Sequence, residues 1–89
     1  MGRLSLAERK RRGRVYEVRS WYKERDTYVC VKEADELTLK EAEKLMRKIP
    51  LDSDLPQVDL FYDDGNDRYK VAYRETYCDG NAPYEEWLI

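Results

Sequence analysis

Residues 14–22, RVYEVRSWY, alternate along the chain and are rich in β-branched and aromatic side chains. Tyr16, Val18 and Tyr22 fall on one side of an extended strand, and Glu17, Arg19 and Trp21 on the other. KERD, 23–26, reads as a turn. TYVCVKE, 27–33, reads as a second strand with Val29 and Val31 on one face, so the first third of the chain predicts a hairpin. The period then changes. In LTLKEAEKLMRKIP, 37–50, Leu39, Ala42, Leu45, Met46 and Ile49 recur at helical spacing, with Lys40, Glu41, Glu43, Lys44, Arg47 and Lys48 on the wet side. Thr38 and Glu41 have the spacing of a capping box, Leu37 stands where a hydrophobic staple would, and Pro50 stops the helix.

Alternation returns after the loop LDSDLPQ. VDLFY, 58–62, predicts a third strand with Val58, Leu60 and Tyr62 on one side. RYKVAYRET, 68–76, predicts a fourth, with Tyr69, Val71 and Tyr73 opposed to Lys70, Ala72 and Arg74. At the C-terminus, Tyr84, Trp87 and Leu88 of PYEEWLI are spaced like the apolar side of a last helical turn. At the N-terminus, Ser5 and Glu8 suit a short capped helix and Gly13 its exit, so residues 1–13 read as a basic arm or short helix. The expected fold is α+β. Residues 14–89 form a single domain with a mainly antiparallel four-stranded sheet of ββαββ order, one amphipathic helix on one face, and a C-terminal turn.

A single helix covers one face of such a sheet. If Tyr16, Val18, Val29, Val31, Val58, Leu60, Val71 and Tyr73 meet it, period-2 alternation places Arg19, Trp21, Tyr28, Cys30, Lys32, Asp59, Phe61, Arg68, Lys70 and Arg74 on the open face. Aromatic and arginine side chains dominate binding hot spots, and on a sheet they also stack bases between phosphate contacts. Trp21, Tyr28, Phe61, Lys70 and Arg74 are therefore candidate contact residues. The competing reading is that these aromatics pair across strands beneath the terminal segments.

Composition narrows the chemistry. The 89 residues include no histidine and two cysteines, Cys30 and Cys78. The commonest general base and the commonest nitrogen metal ligand are thus missing, a Cys/His zinc site is excluded, and the cysteines read as free thiols. The expectation is a protein that is not an enzyme and holds no cofactor or metal. No apolar run approaches the ~20 residues of a membrane span, and no signal-peptide core follows the basic start, so a soluble cytoplasmic protein is expected.

Charge sharpens the picture. Residues 1–25 carry nine Lys/Arg and three Asp/Glu, net +6, whereas residues 26–89 carry eight and sixteen, net −8. A split of this kind points either to a partner surface or to contact between the two ends. The acidic turn Asp63-Asp64-Gly65-Asn66-Asp67 is not a calcium loop, because its glycine comes third and Arg74 stands where the bidentate glutamate would be. Asp-Gly and Gly-Asn suit a hairpin turn instead.

Clustered carboxylates at Asp63, Asp64, Asp67, Asp79, Glu85 and Glu86 could still present negative charge to a basic groove, with aromatic anchors supplying affinity. In architecture and charge the chain resembles the small, histidine-poor, acidic proteins with which phages and mobile elements block host nucleic-acid machinery, anti-CRISPR proteins among them. That resemblance implies an inhibitor that binds a nucleic-acid-binding protein. The alternative is a nucleic-acid-binding module with Arg9, Lys10, Arg11, Arg12 and Arg14 as an arm and the basic-aromatic sheet face as a platform. A third option is a homodimer in which open faces or strand edges pair.

Overall fold

A computed structural model describes residues 3–76 and 83–89. The chain runs α1 (Leu6–Arg11), β1 (Tyr16–Glu24), β2 (Thr27–Leu37), α2 (Leu39–Lys48), β3 (Gln57–Asp63), β4 (Arg68–Glu75) and β5 (Tyr84–Trp87). The strands form one antiparallel sheet in the order β2-β1-β3-β4-β5. The fold is α+β, with the expected ββαββ order at its centre.

The C-terminal segment differs from expectation. Tyr84–Trp87 is a fifth strand, with Ala72 opposite Trp87, Tyr73 opposite Glu86 and Arg74 opposite Glu85. A single helical turn fixes its dihedrals for too few hydrogen bonds, whereas the free edge of β4 offers a row of main-chain partners. Side chains hold the strand down: Arg47 on α2 donates twice to Glu85 (3.0 and 2.9 Å), and the Tyr73 hydroxyl donates to Glu86.

α2 forms for the reasons its sequence suggests. The Thr38 hydroxyl accepts from the Glu41 N–H (3.2 Å) while the Glu41 carboxylate accepts from the Thr38 N–H (3.0 Å), completing the capping box. Its buried stripe, Ala42 and Met46, packs with Val18, Val58, Leu60, Val71, Ala72 and Leu55 to make the core, ringed by Tyr16, Leu37, Leu45, Ile49, Leu51 and Tyr62. Truncating a fully buried methionine such as Met46 to alanine typically costs about 2–5 kcal/mol.

Two departures from strict alternation decide where side chains point. In β4 the register slips: Leu60 faces Ala72, but Phe61 faces Lys70. Val71 is the extra residue of a β-bulge, so Val71 and Ala72 are both buried, and every residue after them changes face. Tyr73 therefore lies opposite Asp59 on the open side, not under the helix, and Arg74 lies opposite Val58 on the helix side, not on the open face. There the Arg74 guanidinium donates to the carbonyls of Met46 (2.6 Å) and Ile49 (3.4 Å), capping the end of α2. The second departure is one of length. β1 pairs with β3 only as far as Trp21 opposite Gln57, so the outer part of the β1–β2 hairpin runs past the sheet. Val29 and Val31, expected in the core, are 38% and 40% exposed.

Candidate functional site

The open face is organised around two buried carboxylates. Asp59, fully buried in the middle of β3, accepts from the Trp21 indole N–H (2.8 Å) and the Gln57 amide (2.7 Å) and pairs with Lys70 (3.3 Å). Glu17 on β1 pairs with Arg19 (2.8 Å) and Arg68 (2.9 Å). Burial pushes the Glu17 carboxyl up, but hydrogen bonds and charge from the two arginines outweigh it and leave the group below its ordinary value. Arg68 lies over the Phe61 ring, 4.7 Å from its centre, and the Lys70 ammonium sits 6.0 Å from Phe61 and 5.7 Å from Tyr73. Lys70 and Arg68 are thus engaged across the strands and Arg19 along β1, and Phe61 is covered by cations. Of the five contact candidates, Trp21, Phe61 and Lys70 come together in this lattice. Tyr28 stands apart on the outer hairpin, and Arg74 is on the other side of the sheet.

The acidic turn is built into the fold. Asp64 accepts from the main-chain N–H of Asp67 (2.8 Å) and Asn66 (2.9 Å) and from the Tyr62 hydroxyl (2.9 Å), which hold its carboxyl down at about 2. Asp63 accepts from the Gly65 N–H (2.9 Å) and lies 3.6 Å from Arg68. Asp67 is exposed. Glu85 and Glu86 are tied to Arg47 and Tyr73, and Asp79 lies outside the described residues.

The basic segment folds onto this turn. Ser5 caps α1, the Leu6 side chain packs against Gly65, and Arg9 donates to the Asp63 carbonyl (3.2 Å) and the Arg14 carbonyl (3.4 Å). Arg11 and Arg12 both pair with Glu8, and Arg14 pairs with Glu41 (2.7 Å). Of the arm's five cations, Arg9 and Lys10 show no ion pair among the described residues; Arg9 is held by main-chain carbonyls, and Lys10 lies close enough to Asp64 to lower that carboxyl further. The basic segment meets the acidic remainder of the chain in a few ion pairs, Arg3 with Asp35 and Glu36 and Arg14 with Glu41.

Two apolar surfaces are accessible: the C-terminal edge, where Tyr84, Trp87, Leu88 and Ile89 are exposed, and the outer hairpin. Trp21 and Tyr28, with Pro56 and Gln57 of the loop into β3, line a shallow recess of about 340 Å³. Tyr28 is 53% exposed, and Tyr22, Val29 and Val31 are exposed on the opposite face of the same ribbon. Pro56, Gln57 and Tyr22 were not among the sequence candidates, and only the lengths of the paired strands reveal them. A second feature is a row of lysines, Lys40, Lys44 and Lys48, one turn apart on the outer side of α2; none forms an ion pair among the described residues.

Among the described residues no three His, Cys, Asp or Glu side chains converge as a metal site requires, and no helix is long and apolar enough to cross a membrane. The chain matches no protein-family model, no curated protein and no solved structure.

Proposed function

We propose that this protein is a non-enzymatic protein-binding module that engages its partner through the outer β1–β2 hairpin, with Trp21 and Tyr28 as anchors. The observation that carries this reading is the recess they line with Pro56 and Gln57, an apolar concavity beside an exposed tyrosine, while the other aromatic candidate, Phe61, is capped by cations. Large, rigid aromatics in such a setting are the usual source of interface affinity. The net −8 of residues 26–89 suits a basic partner, such as a nucleic-acid-binding protein, by steering the encounter. An inhibitor of host nucleic-acid machinery is the finer form of the same reading, and it rests on architecture and charge.

The test is affinity capture from nuclease-treated lysate, followed by binding measurements on the purified partner. Tyr28→Ala should weaken that complex by roughly tenfold to a hundredfold without changing the fold, and charge reversal at Asp67 should mainly slow association. Unchanged affinity in Tyr28→Ala would sink the reading. One observation favours a second reading, nucleic-acid binding: the lysine row on α2, which forms no ion pair among the described residues. Its signature is affinity that falls steeply with salt, with a slope that flattens when Lys40, Lys44 and Lys48 become glutamine.

A further inference from the structure

The two edges of the sheet are built differently. β5 is four residues long and carries Glu85 and Glu86, the short, charged design that discourages strand addition. β2 is eleven residues long, and its outer run Thr27–Lys32, TYVCVK, contains one charge, no proline, no glycine and no bulge before Glu33. Six residues of that composition on an open edge form a pairing template.

The orientation of the main chain shows what this edge offers. Lys23 lies opposite Tyr28, and its N–H donates away from β2, to the Asp54 carbonyl (2.7 Å). In an antiparallel ladder the groups of a pair point both inward or both outward. Tyr28, and by alternation Cys30 and Lys32, therefore turn their N–H and C=O groups to solvent.

We infer that this edge pairs with the same edge of a second copy, antiparallel about a two-fold axis through Cys30, to give a continuous ten-stranded sheet. This inference goes beyond the proposed function and does not rest on it. The register follows from the side chains. Centring on Cys30 sets Val29 against Val31 of the second copy on one face, so four half-exposed valines cover one another. On the other face it sets Tyr28 against Lys32. Centring on Lys32 would place that lysine opposite itself, and centring on Tyr28 would place Val29 opposite Thr27. Because the axis is perpendicular to the sheet, both Trp21 recesses face the same side.

The experiment is sedimentation equilibrium over a range of concentrations, with thiol cross-linking in a Cys78→Ser background. The intact chain is expected to be a dimer, and a short bis-maleimide should join Cys30 to Cys30, since paired residues in such a ladder lie about 5 Å apart. Tyr28→Lys, at an exposed position, should weaken the dimer about tenfold or more by setting lysine opposite lysine twice. Adding Lys32→Glu to Tyr28→Lys should restore it, while circular dichroism stays unchanged throughout. A chain that stays monomeric at sub-millimolar concentration would overturn the proposal. So would a dimer that ignores Tyr28→Lys and leaves Cys30 unlinked.

Discussion

Replacing Asp59 by asparagine tests whether the open face is held by its buried carboxylate. The substitution keeps the shape and removes the charge. Asp59 is fully buried and receives three donors, from Trp21, Gln57 and Lys70. An asparagine amide has one acceptor oxygen, and its NH₂ faces at least one of those donors, so a donor is left unsatisfied. Hydrogen bonds to a charged acceptor contribute about 1.5–3 kcal/mol each, and removing one partner of a buried ion pair costs about 3–5 kcal/mol. Lys70 is 34% exposed and can turn to water, which puts the expected loss at the lower end, about 2–4 kcal/mol. For a domain of this size that is a large share of a stability of roughly 4–13 kcal/mol, and it lowers the melting temperature by on the order of 10–20 °C. Urea unfolding followed by fluorescence and circular dichroism should show the midpoint falling with an unchanged slope. Lys70→Met should cost less in the Asp59→Asn background than in the wild type, because the pair is already broken. A loss below about 0.5 kcal/mol, or strictly additive effects, would refute the claim that this carboxylate organises the face.

Three further expectations follow from backbone geometry and from the acidic turn. Arg25 occupies the hairpin turn at φ +58°, so Arg25→Gly should stabilise the domain by about 1 kcal/mol, read in a thermal melt; a destabilised variant would contradict the strain argument. Gly65 has φ +91°, and an added Cβ would meet Leu6 Cδ2 at 2.6 Å, so Gly65→Ala should cost about 1–2 kcal/mol or more. It should also speed proteolysis at α1, and equal protection in the two proteins would count against the docking of α1 on the turn. The Asp64 carboxyl, held at about 2 by Asp67, Asn66 and Tyr62, lies below its unfolded value near 4, so its contribution is fully present above pH ~4 and is lost as pH falls toward 2. Unfolding curves between pH 2 and 5 should therefore be less steep in pH for Asp64→Asn, and parallel curves would show that the turn does not depend on this charge.

The parts of the fold that were legible in the sequence depend on neighbours within a few residues. The α2 capping box, the Asp-Gly turn and the alternation of β1 and β3 are all local, and local chemistry decides them. The rest depends on partners far along the chain. KVAYR alternates in the sequence, yet in the sheet Val71 is an extra residue whose carbonyl accepts from the Leu88 N–H (2.8 Å), and nothing within β4 announces that bond. This one slip carries Arg74 from the open face to the end of α2 and brings Tyr73 the other way. Asp59 poses the same problem in electrostatic form. A lone acid among apolar residues reads as the wet side of a strand, and only the indole N–H of Trp21, 38 positions away, makes it a buried acceptor. The basic and aromatic residues that looked most functional have the chemistry to satisfy such groups, so folding uses many of them internally. Availability for a partner is set instead by the mismatch between a long hairpin and a shorter neighbouring strand, nine and eleven residues against seven. That mismatch leaves Tyr28 and the β2 edge exposed beside Trp21.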